Sequence, residues 1–324
     1  MTYSRPFLAT PIPMAILTAI VSILPFRGSL AGETSMKSPP IPQTMNKMKE
    51  LMGEDYIYLD KEGLFIVSDL DKKTLYPLMS RDFLIYLHVL QRDFFTKSHG
   101  ATGNNSAPLL TIFLFRDRSG YIKGLRKIGI SIAPEDENHT GAVRNGYYYG
   151  GKERNFILIN YRENYSEGIA TFSHELTHAL IAREFRGAPK WLNEGMATMI
   201  GRSRIVNSHL RYSDHLGLNR MKKRVEKGEM PSLSAIVRLE GKDFSHRENS
   251  NPAYDSSAWL CRFLHSRNQL LPLYRELRDN AKKRDNDLEV IRRITGLDLD
   301  NLERAWHNWL MRQEEPPPPP VKKE

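Results

Sequence analysis

Residues 171–180 read Thr-Phe-Ser-His-Glu-Leu-Thr-His-Ala-Leu. Around them Ile169, Phe172, Leu176 and Ala179 make one apolar stripe at helical spacing, and Ile181 and Phe185 extend apolar character onto the histidine face. A helix that is apolar round most of its circumference belongs in an interior. Two histidines and a glutamate on such a helix need a partner, because burying unpaired polar groups is costly. The fold must therefore bring something to His174, Glu175 and His178. Residues four apart project side by side, one turn apart in height. Two imidazoles so placed can chelate one Zn²⁺ at about 2.0–2.1 Å each. Glu175, one position after the first histidine, is badly placed to join the same coordination sphere but well placed to act as a base on a water held there.

The segment C-terminal to the motif supplies a third ligand. The helix is expected to end near Phe185-Arg186-Gly187, with glycine at the C-cap and Pro189 opening the next helix. That helix reads Pro-Lys-Trp-Leu-Asn-Glu-Gly-Met-Ala-Thr over 189–198. Glu194 sits there among Trp191, Leu192, Met196 and Ala197, 16 positions after His178. An antiparallel return brings its carboxylate to the two imidazoles; the plain alternative is a salt bridge. His₂Glu with an open fourth position is the donor set of a catalytic zinc site, since a structural site is closed by protein ligands. Zinc is the expected metal on ligand type. Cys261 is the only cysteine, which excludes an intrachain disulfide and a cysteine-based zinc cluster. In its apolar helical context it reads as a buried, inert thiol.

The first 31 residues stand apart. They contain no acidic residue, an early Arg5, an apolar run from about Met14 to Leu24, and Ser29-Leu30-Ala31 as a small-x-small cleavage pattern. This is the layout of a secretory signal peptide, with an uncleaved N-terminal membrane anchor as the alternative. Either reading exports the rest of the chain to the periplasm, the cell envelope or the outside. Residues 32 to about 44 are rich in Pro, Ser and Thr, and the segment 32–50 reads as a linker. Residues 51–312 then form one domain, with an N-terminal α/β part to about 165 and a helical part over 166–312. The 313–324 tail, with five consecutive prolines, cannot join a core. The length of 324 residues is ample for a sizeable core, and 40% hydrophobic residues exclude a wholly disordered chain. The net charge of +9 reads as scattered along the chain. It suggests envelope contact through a basic surface or the proline tail, and nucleic acid is not expected as a partner.

Local patterns place the motif in the fold. Tyr56–Leu59 and Leu64–Val67 flank Asp60-Lys61-Glu62-Gly63 as a hairpin. Apolar spacing from Leu75 to Phe95 gives one long amphipathic helix or two shorter ones. Leu109–Phe115 is a strand, 120–128 a short helix and 131–140 a polar loop. Ala142–Tyr149 and Phe156–Tyr161 form a second hairpin, and everything after Ser166 reads helical. Strands followed by helices indicate an α+β domain. His88, His99, His139, His265 and His307 show no partner pattern, and Met196, Met199, Trp306 and Trp309 read as packing residues.

The motif His-Glu-Leu-Thr-His followed by Pro-Lys-Trp-Leu-Asn-Glu-Gly-Met-Ala resembles the gluzincin metallopeptidases, and within them the exported bacterial proteins of the peptidase MA-like superfamily. The likeness runs from about residue 56 to 312 and is strongest over 170–200. It takes in Pro252–Trp259 and the end from Thr295 to Trp306. It implies a zincin-like fold, with a sheet whose edge strand lies over the active-site helix and a helical C-terminal part. It also implies His174, His178 and Glu194 as zinc ligands and Glu175 as the catalytic base. The expected activity is hydrolysis of peptide bonds in a peptide or protein substrate, through a zinc-bound water that Glu175 activates. The expected strand for substrate pairing is Phe156–Asn160, by β-addition. Tyr254, which opens a helix in a segment sharing the likeness, is the candidate donor to the oxyanion, with His246, His215, Tyr212 and Tyr149 as alternatives. Asn193, Thr198 and Thr177 are candidates for orienting the imidazoles. The competing expectations are a zincin-fold scaffold without hydrolysis, and an envelope protein that acts through its basic surface.

Overall fold

The structure is a computed structural model and describes residues 45–95, 110–130, 146–150, 155–161, 164–212, 217–244, 252–281 and 287–314. Residues 1–31, expected to be a signal segment, the Pro-rich residues to Thr44, residues 131–140, expected to be a polar loop, and residues 315–324 of the tail lie outside them. The architecture is α+β: a small mixed sheet followed by a helical C-terminal part. No helix among the described residues is long and apolar enough to cross a membrane.

Five strands form the sheet: β1 (Ile57–Lys61), β2 (Leu64–Ser68), β3 (Leu110–Phe115), β4 (Gly146–Gly150) and β5 (Asn155–Asn160). Their order is β1-β2-β3-β5-β4. The central pairs β2–β3 and β3–β5 are parallel, and the outer strands are added antiparallel by hairpins. Glu62 (φ 53°) and Gly63 (φ 83°) make the tight turn of the first hairpin in left-handed backbone, where glycine carries no Cβ penalty. β2 and β3 are buried along their whole length, as parallel strands covered on both faces must be. One face, with Phe65, Val67, Phe113, Phe115, Phe156 and Leu158, packs on α1 (Met45–Met52) and α4 (Arg118–Lys127). The other, with Leu64, Ile66, Ile112, Leu114, Ile157 and Ile159, packs into the main core.

That core is built on the motif helix α5 (Tyr165–Glu184), the following α6 (Lys190–Gly201) and, beyond α7 (Leu218–Lys227) and α8 (Leu233–Val237), α9 (Pro252–Ser266). On the sheet side the helical stretch from Lys72 to Asp93 covers it. This is one run in three parts, α2 (Lys72–Pro77), a π-turn (Leu78–Phe83) and α3 (Leu84–Asp93). Phe83 in the π-turn stacks on Phe172 of α5 with ring centroids 3.8 Å apart. Trp306 and Cys261 are fully buried. Cys261 is buried, as its context indicated, and burial pushes its thiol far up.

Two sequence expectations are corrected here. The segment read as linker ends earlier, because α1 starts at Met45 and buries Met48 and Met52 beneath the sheet. These two methionines are four apart and share one helix face. The helical stretch after Ser166 is also interrupted, by a hairpin of β6 (Ser203–Val206) and β7 (His209–Tyr212). Asn207 (φ 50°) and Ser208 (φ 60°) both take left-handed backbone at its turn, without the glycine that normally marks such a turn.

Candidate metal centre

The motif helix begins where Asn164 accepts a hydrogen bond from the Glu167 amide, an N-cap that fixes the helix start. It ends at Glu184, and Gly187, with φ +84°, takes the left-handed turn that reverses the chain. Pro189 is the N-cap of α6, and its carbonyl accepts the Asn193 amide at 2.9 Å. The return is antiparallel and close. A Cβ on Gly201, at the far end of α6, would lie 2.9 Å from the Cβ of His174. A Cβ on Gly195 would lie 2.6 Å from the Ser257 carbonyl oxygen and 2.7 Å from Cys261 Sγ on α9. These two glycines let α6 lie against α5 on one side and α9 on the other, and so set the depth at which Glu194 is presented.

The three expected ligands meet. His174 Nε2 and His178 Nε2 are 3.1 Å apart. Glu194 Oε2 lies 3.5 Å from His178 Nε2 and 3.8 Å from His174 Nε2. Two donors each about 2.0–2.1 Å from a tetrahedral centre lie about 3.3 Å apart, so these three atoms fit one zinc-sized cation. They are the one group of three or more His, Cys, Asp or Glu donors with this spacing among the described residues. The side chains of His178 and Glu194 are each 12% exposed and that of His174 is 24% exposed, so the cluster opens to solvent on the His174 side.

The tautomer of His178 is set from outside the cluster. Its Nδ1–H donates to Asn193 Oδ1 at 2.8 Å, which leaves the Nε2 lone pair facing the other ligands. Of the three candidates for this role, Asn193 fills it. The Thr177 hydroxyl donates to the Ser173 carbonyl, and Thr198 Oγ1 is buried without a partner among the described residues. Asn193→Ala is expected to lower zinc affinity by about 10–100-fold, read by chelator competition. An unchanged affinity would show that the imidazole is oriented by packing alone.

Electrostatics bind the triad together before any cation does. Burial works against a charged His178, but the Glu194 carboxylate, with Glu175 and Asn193, outweighs it and pushes the imidazole up to about 9. Burial likewise opposes an ionised Glu194, yet His178 and His174 push it down to about 2. The raised histidine stabilises the metal-free fold below its ordinary value of 6.5 and loses that contribution as pH rises through 9. The lowered carboxyl contributes above its ordinary 4.5 and loses it as pH falls through 2. Zinc requires the neutral imidazole, so its binding expels this proton. The rise in melting temperature caused by zinc is therefore expected to grow with pH between 6.5 and 9, by roughly 1.4 kcal/mol of binding per unit. Melting curves with and without zinc across that range check it; a flat response would contradict the His178–Glu194 proton pair.

Glu175 is buried and faces the sheet. A Cβ on Gly146 of β4 would stand 3.2 Å from Glu175 Cγ and 3.4 Å from its Oε1, and would also strike the Thr171 methyl. The strand over the motif helix at this point is thus β4. The strand expected to pair with substrate, Phe156–Asn160, is β5, which has β3 on one side and β4 on the other and so is not an edge. No edge position is readable from β5 in sequence, because its parallel pairing with β3 is a long-range contact.

Tyr254 lies in the first turn of α9, and its hydroxyl donates to the Phe244 carbonyl at 3.0 Å while its ring meets Phe244 edge-on. A role on an oxyanion requires that bond to be exchanged. Tyr149 stacks on Phe156 and packs with the α1–α4 face of the sheet, away from α5. Tyr212 sits beside His265, with its hydroxyl 3.4 Å from Nε2. His215 and His246 lie outside the described residues. One feature had no reading in sequence. The Asp255 carboxylate, 3% exposed, accepts from Arg202 at 2.8 Å and from Arg220 at 3.0 Å. It ties α9 to the end of α6 and to the next helix, α7 (Leu218–Lys227). An aspartate in the first turn of a helix that goes on into the apolar run Ala258-Trp259-Leu260-Cys261 was its only signal.

The chain matches no family model and no curated protein.

Proposed function

We propose that the protein is an exported zinc-dependent metallopeptidase with a zincin-like arrangement of sheet and motif helix. The observation that carries this reading is the convergence of His174, His178 and Glu194 donors within 3.1–3.8 Å, with Glu175 adjacent but turned toward the outer strand. Zinc held there supplies Lewis acidity, polarising a carbonyl oxygen and bringing the pKa of water toward about 7. The chain's own residues do the rest. The two imidazoles present neutral Nε2 lone pairs, and Glu194 offsets part of the cation's charge. Glu175 accepts a proton from the water that attacks the scissile carbonyl carbon, and delivers it to the amine nitrogen as the C–N bond breaks. β4 is the outer strand beside Glu175, so an extended peptide adding along β4 lies over the motif helix with its backbone in register.

The test is turnover of a quenched fluorescent peptide library. Hydrolysis that stops with a chelator and returns with about one equivalent of zinc per chain supports the proposal. Zinc binding without cleavage of any library member would favour the non-catalytic scaffold that shares the same site.

A further inference from the structure

The positive charge of this protein is concentrated. From Arg202 to Lys227 the sequence holds eight Lys and Arg against two acids, Asp214 and Glu226, a surplus of six within a chain whose total is +9. Composition read along the whole chain hides this, and folding brings Arg202, before the hairpin, and Arg220, in the following helix, to one carboxylate, that of Asp255. The β6–β7 hairpin turns Ile205 and Leu210 inward to the core and leaves Arg204, Val206, His209 and Arg211 exposed. In its register Arg204 stands directly opposite Arg211, and Val206 opposite His209. Like charges directly opposite on one face of a strand pair are destabilising. Neither arginine has an acidic partner among the described residues.

Helix α7 continues this surface. Leu218 and Met221 are buried, while Lys223 and Lys227 are exposed and one turn apart on the outer face. Arg202, at the base of the hairpin, and Arg220, in the first turns of α7, donate to the same Asp255 carboxylate, so hairpin and helix adjoin.

We propose that the exposed face of the β6–β7 hairpin together with the outer face of α7 is a docking surface for an anionic lipid bilayer. Anionic headgroups relieve the opposed arginines, and a cluster of several Lys and Arg on one surface is the recognised footprint of anionic-lipid binding. Val206 favours a bilayer over a soluble polyanion. It is 37% exposed at the hairpin tip, among cations, where a headgroup layer takes up an apolar side chain and a dissolved polyanion does not. This inference stands apart from the metal site and does not depend on peptidase activity.

The test is co-sedimentation of the full chain with phosphatidylcholine vesicles that do or do not contain phosphatidylglycerol. Any contribution from the N-terminal apolar segment is common to all variants. The wild type is expected to bind phosphatidylglycerol vesicles preferentially, and less as salt rises. Combined Arg204→Gln, Arg211→Gln, Lys223→Gln and Lys227→Gln is expected to cost about fivefold per cation, a hundredfold or more in all. Lys47→Gln, Lys72→Gln, Lys73→Gln and Lys123→Gln together remove the same charge elsewhere and are expected to cost far less. Val206→Ser is expected to weaken vesicle binding and leave polyphosphate binding unchanged. Equal losses in the two quadruple variants, or wild-type vesicle binding in the first, overturn the surface. Polyphosphate binding that needs the four cations, with vesicle binding indifferent to Val206, overturns the bilayer as its occupant. Melting curves of each variant confirm that the exposed substitutions leave the fold intact.

Discussion

Glu175→Gln is expected to lower peptide turnover by about 10²–10⁴-fold while leaving zinc content at the wild-type level. The amide has the shape of the carboxylate and fits the same space beneath Gly146 on β4. It cannot accept the water proton or return it to the leaving amine. The metal is unaffected because Glu175 is not among the three donors that converge. Its charge helps hold the proton on His178 and also attracts the cation that displaces it, so the two effects of removing it oppose each other. Turnover and metal content are therefore expected to separate in this variant. Undiminished turnover would remove Glu175 from the mechanism, and joint loss of zinc and activity would make it structural.

Glu194→Ala is expected to act on the metal directly. Structural zinc sites bind with roughly 10–16 kcal/mol over four ligands, or about 3 kcal/mol each, so loss of one ligand costs at least a hundredfold in affinity. The substitution also removes the largest attraction holding a proton on His178. Burial then dominates, and the imidazole reverts toward the neutral form. The variant should consequently lose both the zinc-induced stabilisation and its dependence on pH. The helix itself should persist, since α6 is held by Trp191, Leu192, Met196 and Ile200, all fully buried. Chelator-competition titration beside melting curves reads both effects. A variant that binds zinc as tightly as the wild type would return Glu194 to a salt-bridge role.

The parts of the site that depend on chain-local geometry were legible in the sequence. His174 and His178 lie side by side because a helix repeats every 3.6 residues, and Glu194 arrives because Gly187 and Pro189 force a short reversal. The apolar settings of Phe172, Leu176 and Trp191 indicated that both helices would be interior, and they are. What escaped depends on long-range pairing. Strand order placed β4, not β5, at the edge over Glu175, and no local pattern encodes that order. The β6–β7 hairpin is short and turns through Asn207-Ser208 without glycine, so its alternation was lost between two helices. Helix α1 was masked by the Pro-rich residues before it, although Met48 and Met52 carry a helical spacing. The charge on the hairpin and α7 was visible in the residues but diluted by a whole-chain average.

The measurement that bears most directly on the central claim is zinc content per chain, combined with X-ray absorption at the zinc edge of the purified protein. About one zinc per chain, with two imidazole nitrogens and a carboxylate oxygen at roughly 2.0–2.1 Å, is the predicted result. A protein that takes up no zinc at pH 8, even after incubation with excess metal, would contradict it, and so would zinc held by other donors while His174, His178 and Glu194 are intact.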